Sequence, residues 1–364
     1  MTGRERAIKA MNFEPTDRLP IMANGVSAGF VQRLLGVSED KYWADQQECH
    51  FETMRRLGQD FHIQFWFPPR ENKRNWSRSD VQDWSDEEAV AADLENRTAE
   101  MRAEVNTRKQ GRETCIREIM DYQTSVQEKL GDEILWVFGM DSHGPAIPGL
   151  PYGRYGYEGF FLTLATYPDV VARHIEAAGE LARVHNECVA EAAKRLEWPK
   201  IGYTGHDMTT QRGNMVHPKT MDRVYFPYLD RALEPLVRDG FKIIWHSDGH
   251  MDDMIGPLID IGVAGFQGFQ EECGTRISEV ARLRNRNGDP LILWGSCSVT
   301  RVIRDGTFCE IQCEVQRVLD EWPHPGLCLA TPTYLSEDVP DRNILEFYRW
   351  CREMGRGGRC DADG

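Results

Sequence analysis

Two histidines and a carboxylate, His246, Asp248 and His250, crowd into five residues directly after the apolar run Phe241 to Trp245. A His-x-Asp pair can hold a divalent cation, or its carboxylate can orient the imidazole for proton transfer. The abrupt step from apolar to ionisable side chains reads as the C-terminal end of a buried parallel strand, where α/β enzymes place their chemistry. Alternation along such a strand points His246 and Asp248 to one side and Ser247 to the other. The purely structural alternative is a strand-end turn in which Asp248 and Gly249 cap a following helix over Met251 to Ile261.

The same step recurs where Lys200 to Tyr203 gives way to His206 and Asp207, with Gln211, Arg212 and Gly213 shortly after. Arg212 offers a planar fork that fits a carboxylate bidentately, and Gln211 an amide, so both are candidate substrate contacts. A salt bridge tying the loop to a neighbouring carboxylate is the competing reading for Arg212. The strand ends at His206 and His246 become neighbours if the helix between them returns the chain to an adjacent strand. Further polar strand ends carry Asp141 and His143, Gln270 with Glu271 and Glu272, Ser296 with Cys297, and Thr331 to Tyr334. Nothing local marks Cys297 as a thiolate.

The elements that must position these groups are short β-rich apolar runs. Eight recur: 19–22, 61–67, 134–138, 200–203, 242–245, 263–267, 291–294 and 327–330. Helical segments separate them, which is the pattern of a (β/α)8 TIM barrel. A doubly wound sheet is the rival, but no GxGxxG or GxxxxGK[ST] loop follows any run. Between them, Pro168 to Leu196 reads as a long outer helix with Pro168 in its first turn. Residues 68–130 form a helical excursion, with the Trp- and Arg-rich 67–84 leading into a charged helix over 86–109. Its role is a lid over the mouth or a contact in a homodimer. One domain spans residues 1–354, and the Gly-rich 355–364 is expected to be a disordered tail.

Composition narrows the partners. The 364 residues carry 58 Asp and Glu against 43 Lys and Arg, a formal charge of −15. That charge repels phosphate backbones and anionic lipids, which argues against nucleic acid and membrane. No apolar stretch has the length of a spanning helix, and the first residues lack the apolar segment of a signal peptide, so a cytoplasmic protein is expected. Ten cysteines occur without a CxxC pair, and most read as buried free thiols. Cys309 and Cys313 share a helical face but have no matching pair elsewhere to complete a metal site.

The segment Asp207 to Gly213, Pro218 through Pro227 and Tyr228, His246 to Gly249, and Leu258 to Val263, taken in order, resembles the uroporphyrinogen decarboxylase superfamily. The opening Arg4, Arg6, Pro15, Asp17, Arg18 and Pro20 and the closing Val339, Pro340 and Asn343 fit the same pattern, so the likeness covers residues 2–354. It implies a TIM barrel with its site in the barrel mouth. Members of that superfamily include porphyrinogen decarboxylases and methyltransferases that work with a corrinoid protein and a thiol or folate acceptor.

Departures from the pattern select among these. The decarboxylases carry an arginine-bearing Arg-Gln-Ala-Gly-Arg stretch after the first strand, and here Met22 to Gly29 has no arginine. An octacarboxylate without that clamp would face an acidic protein. Thiol-methylating members hold zinc through His-x-Cys and a later Cys; this chain keeps His246 but has Asp248 at the first Cys position and Thr333 near the second. The resemblance therefore implies the O-demethylase-like branch, moving a methyl from a small O- or N-methylated substrate, such as a methoxylated aromatic, to cobalamin carried on a corrinoid protein. Unactivated ethers need their leaving oxygen protonated or metal-bound. The expected catalytic groups are His246, Asp248, Asp207 and His206. Arg212, Gln211, His143, Asn24, Tyr334 and Gln270 are expected to bind substrate, and His246, Asp248 and Glu272 to hold zinc or a similar divalent metal. A decarboxylase of a porphyrinogen or smaller acid and a non-catalytic barrel that binds a corrinoid or its carrier are the alternatives.

Overall fold

A computed structural model of the chain describes residues 1–64, 84 and 86–355. Most of the Trp- and Arg-rich segment and nearly all of the expected tail lie outside the described residues. Eight parallel strands follow the eight apolar runs: β1 Ile21–Met22, β2 Phe61–His62, β3 Leu135–Trp136, β4 Ile201–Gly205, β5 Lys242–His246, β6 Val263–Gln267, β7 Ile292–Trp294 and β8 Leu327–Ala330. Six of them form one curled sheet in the order β1-β8-β7-β6-β5-β4, and β2 pairs with β3.

The two sheets abut at both edges. Phe138 bridges to Gly202 beside β4, and the Asp60 amide donates to Ile21 O at 2.9 Å beside β1. The ladders there are too short to close a continuous barrel, because β1, β2 and β3 are two residues each. The arrangement is a mixed α/β fold of TIM-like form.

Strand alternation divides the core into two layers. Met22, Phe61, Leu135, Tyr203, Ile244, Ile292, Trp294, Cys328 and Ala330 meet in one cluster with Ala7 and Met11 of the first helix. Ile243, Trp245, Phe266, Leu293 and Leu329 belong to the other, packed with the helices. His246 continues the Ile244 side of β5, which sends its imidazole toward the end of the inner layer.

The long helix spans Pro168–Arg195 with proline in its first turn. Against it pack helices Glu87–Gln110 and Arg112–Leu130. Their buried stripes are Val90, Leu94, Thr98 and Val105 on one and Ile116, Ile119, Gln123 and Val126 on the other. The described part of the expected excursion is thus a layer on the outer helix. Its charged composition hid a narrow apolar stripe.

Candidate active site

The ends of β4 and β5 lie side by side. Gly205 is in register with His246, and the His206 amide donates to His246 O at 3.1 Å. A Cβ on Gly205 would stand 2.1 Å from that same carbonyl oxygen, so only glycine allows this approach. The consequence is a cluster: one ligand atom each from Asp207, His246 and Asp248 lies within 4.8 Å of the others.

Within it, His246 Nε2 is 4.0 Å from Asp207 Oδ1, and the side chains are 15% and 48% exposed. Asp207 Oδ1 also accepts the Asp248 amide at 3.0 Å. His246 Nδ1 and Asp248 Oδ1 are buried with no hydrogen-bond partner. Burial raises the Asp248 carboxyl above the usual carboxylate range, with Asp207 and Glu272 adding to the rise and His246 opposing it. A buried polar atom left unpaired carries a desolvation cost of about 1–3 kcal/mol, which a group bound at this strand end would relieve.

The loop after β5 is held from three sides. Gly249 takes φ +93°, and a Cβ there would meet Thr209 Oγ1 and Thr210 O at 2.7 Å. Its amide donates to Gln270 Oε1 at 3.1 Å, the His250 amide to Thr210 O at 2.9 Å, and the Met251 amide to Thr275 Oγ1 at 2.7 Å. Thr209 Oγ1 donates to Asp248 O. The following helix is Asp252–Ile261 and has no side-chain cap. The capping explanation for Asp248 therefore does not hold, since its side chain turns to the cluster instead.

Other expected site residues have different places. His206 Nε2 accepts the Leu150 amide at 3.2 Å, and burial lowers its proton affinity, so its imidazole is neutral with Nε2 engaged. His250 pairs with Asp252 at 2.9 Å, outside the cluster. Glu272 accepts from Thr300 Oγ1 and is not a member of the cluster, where Asp207 supplies the third ligand atom. Gln211 and Arg212 form the exposed tip of a hairpin pairing Thr209–Thr210 with Gly213–Asn214. His143 stacks on Tyr122 at 3.9 Å. Asn24 and Tyr334 line a cavity of about 430 Å³ with His50, Gln59, His62 and Thr333; none of the cluster lines it. Asn24 Oδ1 is buried there without a partner.

Three further side chains support the site, none of them assigned a role from the sequence. Tyr203, whose ring lies 6.1 Å from that of His246, donates to Gln267 Oε1 at 3.1 Å. Gln267 in turn donates to Thr331 O and Pro332 O, making a buried polar floor under β5. Tyr152 donates to Asp207 O at 2.7 Å and lies against His206. The alternation of β4 and β6 would have placed Tyr203 and Gln267 on the inner face, but nothing in the sequence pairs them.

The fold and site define an α/β protein with an acidic, histidine-bearing cluster at adjacent strand ends. No protein-family model and no curated protein matches the chain. Among solved structures it is similar to a methyltransferase from Methanosarcina mazei, with a TM-score of 0.61 over 97% of this chain and 99% of that one at 12% identity. Likeness at that identity shows a shared fold.

Proposed function

We propose that the chain is a methyltransferase that takes a methyl group from a small O- or N-methylated donor and passes it to cobalamin on a separate corrinoid protein, on a TIM-like fold of the uroporphyrinogen decarboxylase type. The observation that carries this reading is the Asp207, His246 and Asp248 cluster with its two unpartnered buried atoms. A fold shared with a protein named as a methyltransferase agrees with it.

One imidazole and two carboxylates suit zinc or a similar divalent ion, and the unsatisfied Asp248 Oδ1 is an atom such an ion would engage. His246, Asp248 and Asp207 would hold it, and bound there it would supply Lewis acidity to the donor's leaving heteroatom. Without an ion, Asp248 would instead hold a proton at its carboxyl for that heteroatom, since burial raises it above the usual carboxylate range. Asp207 fixes the Asp248 backbone through its amide, and Gln270 and Thr209 fix the loop on the other side. The local charge is negative, and Arg212 stands at an exposed hairpin tip. A carboxylated substrate, as a decarboxylase requires, would be repelled.

The test mixes purified protein with cob(I)alamin and a panel of methoxylated aromatics and methylamines. Methylcob(III)alamin absorbance with at least one donor is expected. Silence across the panel, or carbon dioxide release from a tested acid without any corrinoid, overturns the reading. Metal analysis of the native protein is expected to find near one equivalent, and less than about a tenth removes the ion from the account.

A further inference from the structure

Four features converge on Cys115, which the chemistry above leaves unused. It stands in the first turn of helix Arg112–Leu130, where the amide dipoles favour negative charge. Its Sγ lies 3.9 Å from His185 Nδ1. His185 Nε2 in turn lies 3.0 Å from Gly144 O. A carbonyl only accepts, so Nε2 carries the proton and Nδ1 presents its lone pair to the thiol. The positive charge of Arg108, on the preceding helix, favours the Cys115 thiolate.

The fourth feature is a second thiol. Cys188, three residues beyond His185 on helix Pro168–Arg195, faces the turn of helix Arg112–Leu130 that carries Cys115. It is 1% exposed, and its Sγ also lies 3.8 Å from Arg112 O and 3.5 Å from Val184 O. Cys115 itself is only partly buried. The nearby carboxylates are engaged elsewhere, Glu104 by Arg108 at 2.8 Å and Glu113 by Arg195 at 2.6 and 3.0 Å. The neighbouring Cys188 thiol, then His185, holds the Cys115 thiol below the ordinary thiol range, and the interaction with Cys115 raises Cys188. By contrast, burial pushes the thiols of Cys297 and Cys328 up.

We propose that Cys115 and Cys188 form a peroxide-responsive dithiol between two outer helices, with Cys115 as nucleophile, His185 as its proton acceptor and Cys188 as the resolving thiol. In the first step the Cys115 sulfur attacks one oxygen of hydrogen peroxide. An S–O bond forms, the O–O bond breaks, and the departing hydroxide takes the proton held on His185 and leaves as water. Cys115 is oxidised to a sulfenic acid and the peroxide is reduced. In the second step the Cys188 sulfur attacks the Cys115 sulfur; an S–S bond forms, the S–O bond breaks, and the hydroxyl leaves with the Cys188 proton as a second water. Two thiols and one peroxide thus give one disulfide and two waters. Because His185 also holds Gly144, oxidation changes a tie to the loop that follows β3.

The experiment uses the full chain and is independent of methyl transfer. Limiting iodoacetamide at pH 6, followed by peptide mass spectrometry, is expected to label Cys115 about tenfold ahead of the exposed Cys309. His185→Gln is expected to erase that lead. One equivalent of hydrogen peroxide is expected to give a Cys115–Cys188 linked peptide two hydrogens lighter, and Cys188→Ser to give a dimedone adduct at Cys115 instead. Labelling of Cys309 first, or neither cross-link nor adduct after peroxide, overturns the proposal in the wild-type chain alone. An adduct on the unmutated chain without a cross-link removes the role of Cys188.

Discussion

Two aspartates at opposite ends of the strands, Asp60 and Asp248, show how differently one buried carboxylate can be treated. Asp60 precedes β2 and its side chain is 1% exposed. It accepts from Arg6 Nη1 at 2.5 Å, Arg18 Nη1 and Nη2 at 2.6 and 2.9 Å and the Ile21 amide at 2.8 Å. Asp17 completes the network by pairing with Arg6 at 2.7 Å. Asp248 follows β5 and leaves Oδ1 without any partner. A satisfied charge at the N-terminal ends of parallel strands serves stability, while the unsatisfied carboxyl at the C-terminal ends is the one to which the proposed function assigns chemistry.

Substitutions at the two positions should therefore move different readouts. Asp60→Ala strands two arginines in a buried network and is expected to cost about 3–5 kcal/mol in urea unfolding. Asp248→Asn is expected to lower methyl transfer by about a hundredfold or more while changing stability by less than about 1 kcal/mol. Equal destabilisation by both would erase the distinction.

A smaller effect sharpens the stability end. Burial pushes His62, two residues beyond Asp60, from 6.5 down to about 3. The unfolded chain therefore takes up this proton first as pH falls. The contribution of His62 is complete above about pH 6.5 and is lost as pH drops towards 3, amounting to about 2 kcal/mol by pH 5. Urea midpoints at pH 7 and pH 5 should show that loss in the wild type and less of it in His62→Gln. Arg212→Ala, at the exposed hairpin tip, is expected to change stability by no more than about 0.5 kcal/mol. Thermal unfolding checks this, and a larger change would mean the hairpin is anchored through Arg212.

The strands were legible because buried parallel strands read as short continuous apolar runs. Val263–Gln267 and Leu327–Ala330 match the runs residue for residue; five others differ at their ends, and of the run 61–67 the strand takes Phe61–His62 while residues 65–67 lie outside the described residues. The two site-bearing strand ends were legible for the same reason, as ionisable groups after such runs. Their detailed grouping was not. Asp207 joins His246 from 39 residues away through the register of β4 and β5, whereas Glu272, chosen for its proximity to a strand end, spends its carboxylate on Thr300. Arg6, Arg18 and Asp60 stand apart in sequence, as do Cys115 and His185. Such partners are set by tertiary packing, which a periodic pattern does not encode.

The central claim is that chemistry resides at Asp207, His246 and Asp248, and the most direct measurement is the single-turnover rate of methyl transfer to cob(I)alamin in His246→Ala. With folding matched to wild type by urea midpoint, the rate is expected to fall to background. Retention of the wild-type rate would contradict the account.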